Sequence, residues 1–253
     1  MAPERTRPCR RLLVVAAPGY GRTTVLGTEV PDDGLRCSAR DALECDLTGA
    51  TVVGVDDLDA LAVDEQLRLV ERLAALPAEV GFVLTSRTPL TGPVRRALGG
   101  QVHQRGPRDL ALDRYAVQRL LADEYAVHDP EAAVRVHTLT SGWPALVHLV
   151  ADELVRASRT VRGPAPDPAR PGAAPAVWVQ ANVLPLVPDP LRQVLGLVAG
   201  LGPVSQTVCD EGARALGVPP PGDLASLAEV GLLAPAPLEP QQRVVVPLVA
   251  AVL

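Results

Sequence analysis

The sequence contains no lysine, and all 24 of its basic residues are arginine. Aromatic residues are also scarce, at 2% of the chain, although hydrophobic residues make up 47% and charged residues 21%, as in a globular protein. With 253 residues, the chain can bury a substantial core in one large domain or in two to three small ones. We therefore expect it to fold without disulfides or structural metal ions. An arginine where a motif usually has lysine is interpreted with this compositional bias in mind.

Several other features are missing, and each absence excludes a class of function. The four cysteines form no Cys-x-x-Cys pair, and the four histidines lie at no metal-ligand spacing from them. The net charge of −5 gives no general attraction to a phosphate backbone, so we expect no direct DNA binding by this chain alone. No apolar run reaches the roughly 18 residues of a membrane span, and no signal-peptide core follows the arginine-rich start. These absences predict a reduced, cytoplasmic protein without a membrane segment.

Short apolar runs alternate with helical patterns through the first hundred residues, which is typical of a parallel sheet with crossover helices. Strands are predicted at residues 12–16, 51–55 and 81–85 because these runs are short, β-branched and apolar throughout. A helix is predicted over residues 63–76, before Pro77. Its buried face would consist of Val63, Leu67, Val70 and Ala74.

A helical pattern also covers residues 109–159, with Asp113 and Asp129 as predicted N-caps. The predicted core positions of this region are Leu120, Leu121, Val134, Leu146 and Leu149. Residues 161–175 are rich in Pro, Ala and Gly and are predicted to be a linker without a helix. Further along the chain, four helical runs precede two short strand candidates at residues 232–234 and 243–246, an arrangement typical of a winged helix.

The first predicted strand runs directly into the segment AAPGYGRTT at residues 16–24. Compared with the phosphate-binding motif G-x-x-x-x-G-K-[ST], Gly21 and Thr23 match, whereas Ala16 replaces the first glycine and Arg22 replaces the lysine. Such a loop needs glycines whose backbone N–H groups face the phosphates, a cation near the terminal oxygens and a hydroxyl on Mg²⁺. The alternative is a structural glycine turn between a strand and a helix.

Acidic and polar residues follow the next two predicted strands. Asp56 and Asp57 end the second strand, where paired carboxylates hold Mg²⁺ through water and position an attacking water. The third strand ends in the segment LTSR at residues 84–87, which places a hydroxyl and a guanidinium at the edge where ligands of α/β proteins bind. Arg87 is therefore predicted to sense a terminal phosphate. The alternatives are a solvated acidic turn and a surface arginine that caps the turn before Pro89.

Together with the DLAL segment at residues 109–112 and the SGWPAL segment at residues 141–146, these motifs resemble the ATPase module of STAND-class regulators. The resemblance is strongest to the large MalT-like, LuxR-type transcriptional activators of bacteria, and it lies in the order of five motifs. It implies an ATP/ADP-binding module that uses Mg²⁺. The implied nucleotide-binding residues are Gly19, Tyr20, Gly21, Arg22, Thr23, Thr24, Arg87 and Pro144, with Thr23 and Asp56 on the metal and Asp56 and Asp57 as catalytic residues.

The resemblance also implies a domain organisation. Residues 1–106 would form the P-loop nucleotide-binding core, residues 107–160 a helical lid and residues 176–253 a winged-helix-like domain after the 161–175 linker. In the lid, Gly142 and Pro144 would form the adenine side of the pocket, and Trp143 would pack the lid. The expected partners are the nucleotide and, in addition, a second copy or a regulator protein.

Three departures from the family pattern predict weak or absent hydrolysis. Arg22 replaces the lysine, only about twenty residues separate the helix after the loop from Thr51, and Val246 stands where relatives have the histidine of His-Pro-Leu. A pseudo-ATPase scaffold that binds no nucleotide is therefore the main alternative, and an active NTPase is a third. A hydrolytic triad is not expected, because no serine lies in a G-x-S-x-G context.

Overall fold

The computed structural model describes residues 11–159, 173–215, 217, 224–236 and 238–253. The chain forms two units. The described part of the first unit comprises residues 11–17 and 21–106, and the second comprises Pro18–Tyr20 together with the described residues from Pro107 to Leu253. Three residues of the glycine-rich loop therefore belong to the second unit.

A five-stranded parallel sheet forms the centre of the first unit, in the order β2-β3-β4-β1-β5. The strands are β1 (Arg11–Val15), β2 (Leu35–Ser38), β3 (Val52–Asp56), β4 (Gly81–Ser86) and β5 (His103–Arg105). All six residues of β4 are buried, as expected for a central parallel strand between flanking helices. The predicted parallel α/β sheet is confirmed.

Three of these five strands were predicted from the sequence. Strand β2 was not predicted because it is short and alternates between half-buried and exposed positions, and β5 was not predicted because it has only three residues, all of them polar. Both strands lie at the edges of the sheet, where a continuous apolar run is not required. The missed strands are therefore those whose hydrogen bonds, rather than their side chains, place them in the sheet.

Four helices connect these strands: α1 (Arg22–Glu29), α2 (Ala39–Glu44), α3 (Val63–Ala74) and α4 (Gly92–Leu98). The predicted buried face of α3 is only partly correct: Val70 is buried and Leu67 is half-buried, whereas Val63 is 44% exposed and Ala74 is exposed. The buried residues of α3 are Gln66, Leu69, Val70 and Leu73. Gln66 is a polar residue on this face, so it interrupts the apolar pattern in the sequence. It can be buried because its amide donates a 2.9 Å hydrogen bond to the Leu61 carbonyl.

The described part of the second unit is mainly helical and carries one antiparallel hairpin. Its helices are α5 (Pro107–Leu110), α6 (Arg114–Tyr125), α7 (Pro130–Thr140), α8 (Pro144–Arg159), α9 (Ala173–Asn182), α10 (Asp189–Leu201), α11 (Gln206–Ala215), α12 (Leu224–Glu229) and α13 (Pro247–Ala250). The hairpin pairs β6 (Leu233–Pro235) with β7 (Arg243–Val245). No helix in the described ranges is both long enough and apolar enough to cross a bilayer.

Both predicted N-caps of this region are confirmed. The Asp113 carboxylate accepts a 2.7 Å hydrogen bond from the Ala116 N–H at the start of α6, and the Asp129 carboxylate accepts one of 2.8 Å from the Glu131 N–H at the start of α7. These caps satisfy N–H groups that have no partner inside the helix.

The predicted core positions of the helical region are only partly correct. Leu121 and Leu146 are fully buried, whereas Val134 is 43% exposed and Leu120 and Leu149 are half-buried. The predicted linker is wrong at residues 173–175, which form the first turn of α9. Its remaining residues lie outside the described part of the chain. The division of residues 107–253 into lid, linker and winged helix stays a prediction.

Two cysteines, Cys37 and Cys45, lie on β2 and directly after α2. The Cys37 thiol donates to the Gly54 carbonyl at 3.6 Å. Burial and the neighbouring Cys45 thiol raise the pKa of Cys37 to about 12. Because the thiolate is the reactive form, Cys37 should be inert at neutral pH.

We expect iodoacetamide to label Cys37 at pH 8 more than about a hundredfold more slowly in the native protein than in the denatured chain. Labelling should accelerate as the pH rises towards 11, because the thiolate fraction grows with pH below the pKa. Mass spectrometry of the Cys37 peptide measures both rates, with the urea-denatured protein as the control. Equal rates in native and denatured protein would contradict the raised pKa.

Candidate functional site

The glycine-rich loop joins the end of β1 to the start of α1. It leaves the sheet next to β4, because the Ala16 N–H donates to the Ser86 carbonyl at 3.1 Å. Gly19 and Gly21 have φ values of 81° and 82°, a left-handed conformation that glycine adopts without strain. Gly21 is the N-cap of α1, and its carbonyl accepts the first helical hydrogen bond from Val25 at 3.0 Å. The free N–H groups of the first turn of α1 thus follow a tight glycine turn.

Asp56 ends β3, and its carboxylate links the start of α1 to the end of β4. The Thr23 hydroxyl donates to one Asp56 carboxylate oxygen at 3.0 Å, and the Thr85 hydroxyl donates to the other. The Asp57 N–H donates to the Thr85 hydroxyl at 3.0 Å and to Asp56 at 3.1 Å. Since β4 lies between β1 and β3, its last residues can bond to the polar groups of both neighbours. The predicted loop, acidic pair and hydroxyl residues therefore lie at one edge of the sheet.

Asp57 has a strained backbone and lies between two arginines. Its φ of 54° is in the left-handed region, which aspartate tolerates better than most residues. One carboxylate oxygen lies 3.3 Å from an Arg22 terminal nitrogen and 3.8 Å from the Arg87 Nε. The contact with Arg22 has the geometry of an ion pair rather than a hydrogen bond, since that oxygen has no hydrogen-bond partner among the described residues.

Arg22 is the cation of the loop, and it is only 9% exposed. Burial lowers its pKa, although Asp57, Asp59 and Asp56 act in the opposite direction. An arginine nonetheless stays charged at neutral pH. Its Nη1 is buried and has no hydrogen-bond partner in the part of the chain that the structure describes. A buried N–H donor without an acceptor costs about 1–3 kcal/mol, so an anionic oxygen would be stabilised here.

Arg87 is held by Asp59, a residue that the sequence analysis did not assign. The Arg87 N–H and Nε each donate to a different Asp59 oxygen at 2.7 Å. Burial lowers the pKa of Arg87, but the hydrogen bond and charge of Asp59, with the charges of Asp57 and Asp56, raise it overall. Arg87 is thus fixed in position at the same strand edge, with about 30% of its side chain exposed.

A cleft of about 590 Å³ opens beside these carboxylates within the first unit, a size typical of ligand-binding clefts. Its lining residues come from α1, from the β2–α2 connection and from the end of β3, and include Thr23, Ser38, Asp41, Asp56 and Asp57. The predicted binding residue Thr24 is exposed on α1. In the described ranges, no group of three or more His, Cys, Asp or Glu side chains forms a metal site.

The remaining predicted site residues belong to the second unit. Tyr20 is buried, its ring stacks on Trp143 with centroids 4.5 Å apart, and its hydroxyl donates to the Gly231 carbonyl at 3.1 Å. Gly19 lies against Ala145, and Pro144 is the first residue of α8. The Tyr20 side chain is therefore used in packing, and only its backbone is available to a ligand.

Two residues with clear roles at these segments were given no role from the sequence. Asp59 was visible as a polar residue next to a predicted strand end, and parallel strand ends meet at one edge. Trp178 contacts Gly19 from α9, and its only sequence signal is that it is one of two tryptophans in a chain poor in aromatic residues.

Comparison with known proteins supports the fold. The structure resembles a Walker-type ATPase from Pyrococcus abyssi with a TM-score of 0.59 and 12% identity, over 96% of this chain and 91% of that protein. Thermotoga maritima RuvB, a Holliday junction branch migration motor, gives a TM-score of 0.47 at 18% identity over 95% of this chain and 86% of that protein. No protein-family model and no curated protein matches the sequence. The first unit, a five-stranded parallel sheet with flanking helices, thus has an α/β fold similar to that of this Walker-type ATPase.

Proposed function

We propose that this chain is an ATP/ADP-binding regulatory switch module of a LuxR-type transcriptional regulator, with weak or no hydrolysis. The observation that carries the proposal is the hydrogen bond between Thr23, at the start of α1, and Asp56, at the end of β3. A hydroxyl after a glycine turn and a carboxylate from a neighbouring strand end are the ligands that P-loop proteins place on Mg²⁺.

The residues present fit a magnesium–nucleotide. Gly19, Tyr20 and Gly21 would offer backbone N–H groups to phosphate oxygens, with Thr24 in the next turn of α1. The buried Arg22 Nη1 lacks the acceptor that a phosphate oxygen would provide. Mg²⁺ requires few protein ligands, and one hydroxyl and one carboxylate with phosphate and water oxygens suit it. The bound metal would neutralise charge on the phosphates.

Weak hydrolysis follows from the ion pair between Arg22 and Asp57. Asp57 is the predicted water-positioning carboxylate, yet its inward oxygen already faces the Arg22 guanidinium at 3.3 Å. Arginine also presents a wide planar group where the usual lysine presents a compact ammonium. The Arg87 guanidinium, fixed by Asp59 at the same edge, would sense the terminal phosphate rather than drive chemistry.

The regulatory part of the proposal rests on the resemblance of the motif order, which continues into the second unit. Pro144 would contact adenine, and the helices that precede the β6–β7 hairpin would form a winged-helix-like domain. A second copy of the chain or a regulator protein would be the protein partner, in the cytoplasm. These roles are supported by sequence pattern and by the order of elements.

A pseudo-ATPase scaffold is the second candidate, and one contact favours it. Because Arg22 is paired with Asp57, the loop cation is already neutralised without a ligand. Val246 in place of the family's histidine points the same way. A nucleotide present at 100 times its Kd should raise the free energy of unfolding by about 2.7 kcal/mol, whereas the scaffold predicts no change in Tm with millimolar MgATP or MgADP.

Replacing the metal-binding pair should weaken binding of the magnesium–nucleotide. For Asp56→Asn and Thr23→Val we expect the Kd for MgADP, measured by calorimetry, to rise about tenfold or more, because a charge-assisted ligand is lost. The control is Asp64→Asn, which removes an equal charge from the exposed first turn of α3. The effect should disappear in EDTA, and an unchanged Kd with Mg²⁺ would refute the assignment.

Arg22→Lys tests whether the cation limits hydrolysis. The shorter ammonium should release Asp57 and fit the phosphate better, so we expect ATP turnover to rise more than about tenfold. Arg68→Lys, at an exposed position of α3, is the matched control. If phosphate release by Arg22→Lys stays at the wild-type level, the rest of the site is not competent and the pairing with Asp57 is not the cause.

A further inference from the structure

The tip of the glycine-rich loop, Pro18–Tyr20, is held by four separate contacts with other parts of the second unit. The Trp143 indole N–H donates to the Pro18 carbonyl at 3.0 Å, and the Ala145 N–H donates to the Gly19 carbonyl at 3.0 Å. The Tyr20 ring stacks on Trp143, and the Tyr20 hydroxyl bonds to Gly231. With its carbonyls and side chain used in this way, the tip has few conformations left.

Gly19 is packed so closely that no side chain fits. An added Cβ would lie 2.5 Å from the Ala145 Cβ and 2.7 Å from the Trp178 ring, and the φ of Gly19 is 81°. Trp178 meets Trp143 edge-on, with ring centroids 6.2 Å apart. The tip is therefore enclosed by the start of α8 and by α9, which are far from it in sequence.

Gly231 lies between α12 and β6 and packs closely against the end of the Tyr20 side chain. Its φ is 91°, and an added Cβ would lie 2.6 Å from three atoms at the end of the Tyr20 side chain. Burial raises the pKa of Tyr20, so its hydroxyl stays protonated and remains a donor to the Gly231 carbonyl. A small movement of this turn must move the tyrosine.

We propose that Trp143, Trp178 and Gly231 are positioning residues that set the conformation of the phosphate loop, Trp178 through Gly19 and the other two through Tyr20. The inference rests on the proposed nucleotide site. Because Tyr20 continues directly into Gly21 and Arg22, the conformation of the tip determines the direction of the backbone N–H groups that would face phosphate. A movement of the Gly231 turn, caused by the rest of the chain or by a bound partner, would then change the nucleotide affinity without any contact with the nucleotide.

Gly231→Ala is the direct test, and Gly202→Ala is its matched control. Both glycines belong to the second unit and have left-handed φ values, 91° and 82°, but an added Cβ at Gly202 meets no atom within 4 Å. Both substitutions place a side chain at a positive φ, and only one displaces Tyr20. We expect Gly231→Ala to raise the Kd for MgADP about tenfold by calorimetry and Gly202→Ala to leave it unchanged.

The double variant Tyr20→Ala/Gly231→Ala separates positioning from general destabilisation. Removing the ring makes room for the new Cβ, so Gly231→Ala should add less than a twofold change in Kd in the Tyr20→Ala background. If Gly231→Ala does not fold, Trp178→Phe is the second variant. It removes part of the ring that packs against Gly19, at a half-buried position, and should loosen the loop tip. Urea unfolding of each variant confirms that it is folded under the binding conditions.

The outcomes distinguish this inference from the proposed function. Wild-type protein that binds neither MgATP nor MgADP would overturn the proposed function and the inference with it. Wild-type binding together with equal Kd values for the Gly231 and Gly202 variants would overturn the inference alone. An equal effect of Gly231→Ala with and without the Tyr20 ring would also overturn it, because the effect would not pass through the tyrosine.

Discussion

The hydrogen bonds that Thr85 makes at the end of β4 hold the candidate site together. The Thr85 side chain is fully buried, and a buried hydroxyl without a partner costs about 1–3 kcal/mol. The Thr85 hydroxyl donates to Asp56 and accepts from the Asp57 N–H. The same two hydrogen bonds therefore satisfy the buried hydroxyl and fix the direction of the Asp56 carboxylate. With one oxygen bonded to Thr85, Asp56 turns the other towards the Thr23 hydroxyl. A strand that carries no predicted catalytic residue thus orients the predicted metal ligands.

The sequence was sufficient to find the elements of this site, but not their neighbours. Apolar runs identified β1, β3 and β4, and parallel strands place their carboxyl ends at one edge, so the proximity of Asp56 to the loop was predictable. The strand order was not predictable, because no pattern in the sequence indicates that β4 lies between β1 and β3. Nor was the pairing of Arg87 with Asp59, since both residues were equally consistent with a solvated turn. The buried face of α3 was predicted only in part, because the amide of the buried Gln66 is satisfied by a local hydrogen bond.

The absence of lysine has a physical consequence at the loop. A buried lysine would adjust to desolvation by losing its proton, whereas the Arg22 guanidinium stays charged and needs acceptors around it. Asp57 provides an ion-pair contact at 3.3 Å, and Nη1 has no hydrogen-bond partner among the described residues, so the guanidinium is only partly satisfied. Such a group favours an anion at the loop and at the same time holds the carboxylate that hydrolysis would need. The proposed combination of nucleotide binding with little turnover would follow from this one contact.

Because the chain has few aromatic residues, their clustering at the loop tip requires an explanation. The chain has two tryptophans, three tyrosines and one phenylalanine, and three of these six rings surround the loop tip at Tyr20, Trp143 and Trp178. Aromatic side chains bury a large area with few rotatable bonds, so they restrict the segment they contact more than aliphatic side chains of similar volume. A loop that only reversed the chain between a strand and a helix would need no such restraint, because glycine turns form locally. The rings are therefore better explained by a need to keep the backbone of the tip in one conformation, which is what a phosphate site built from N–H groups requires.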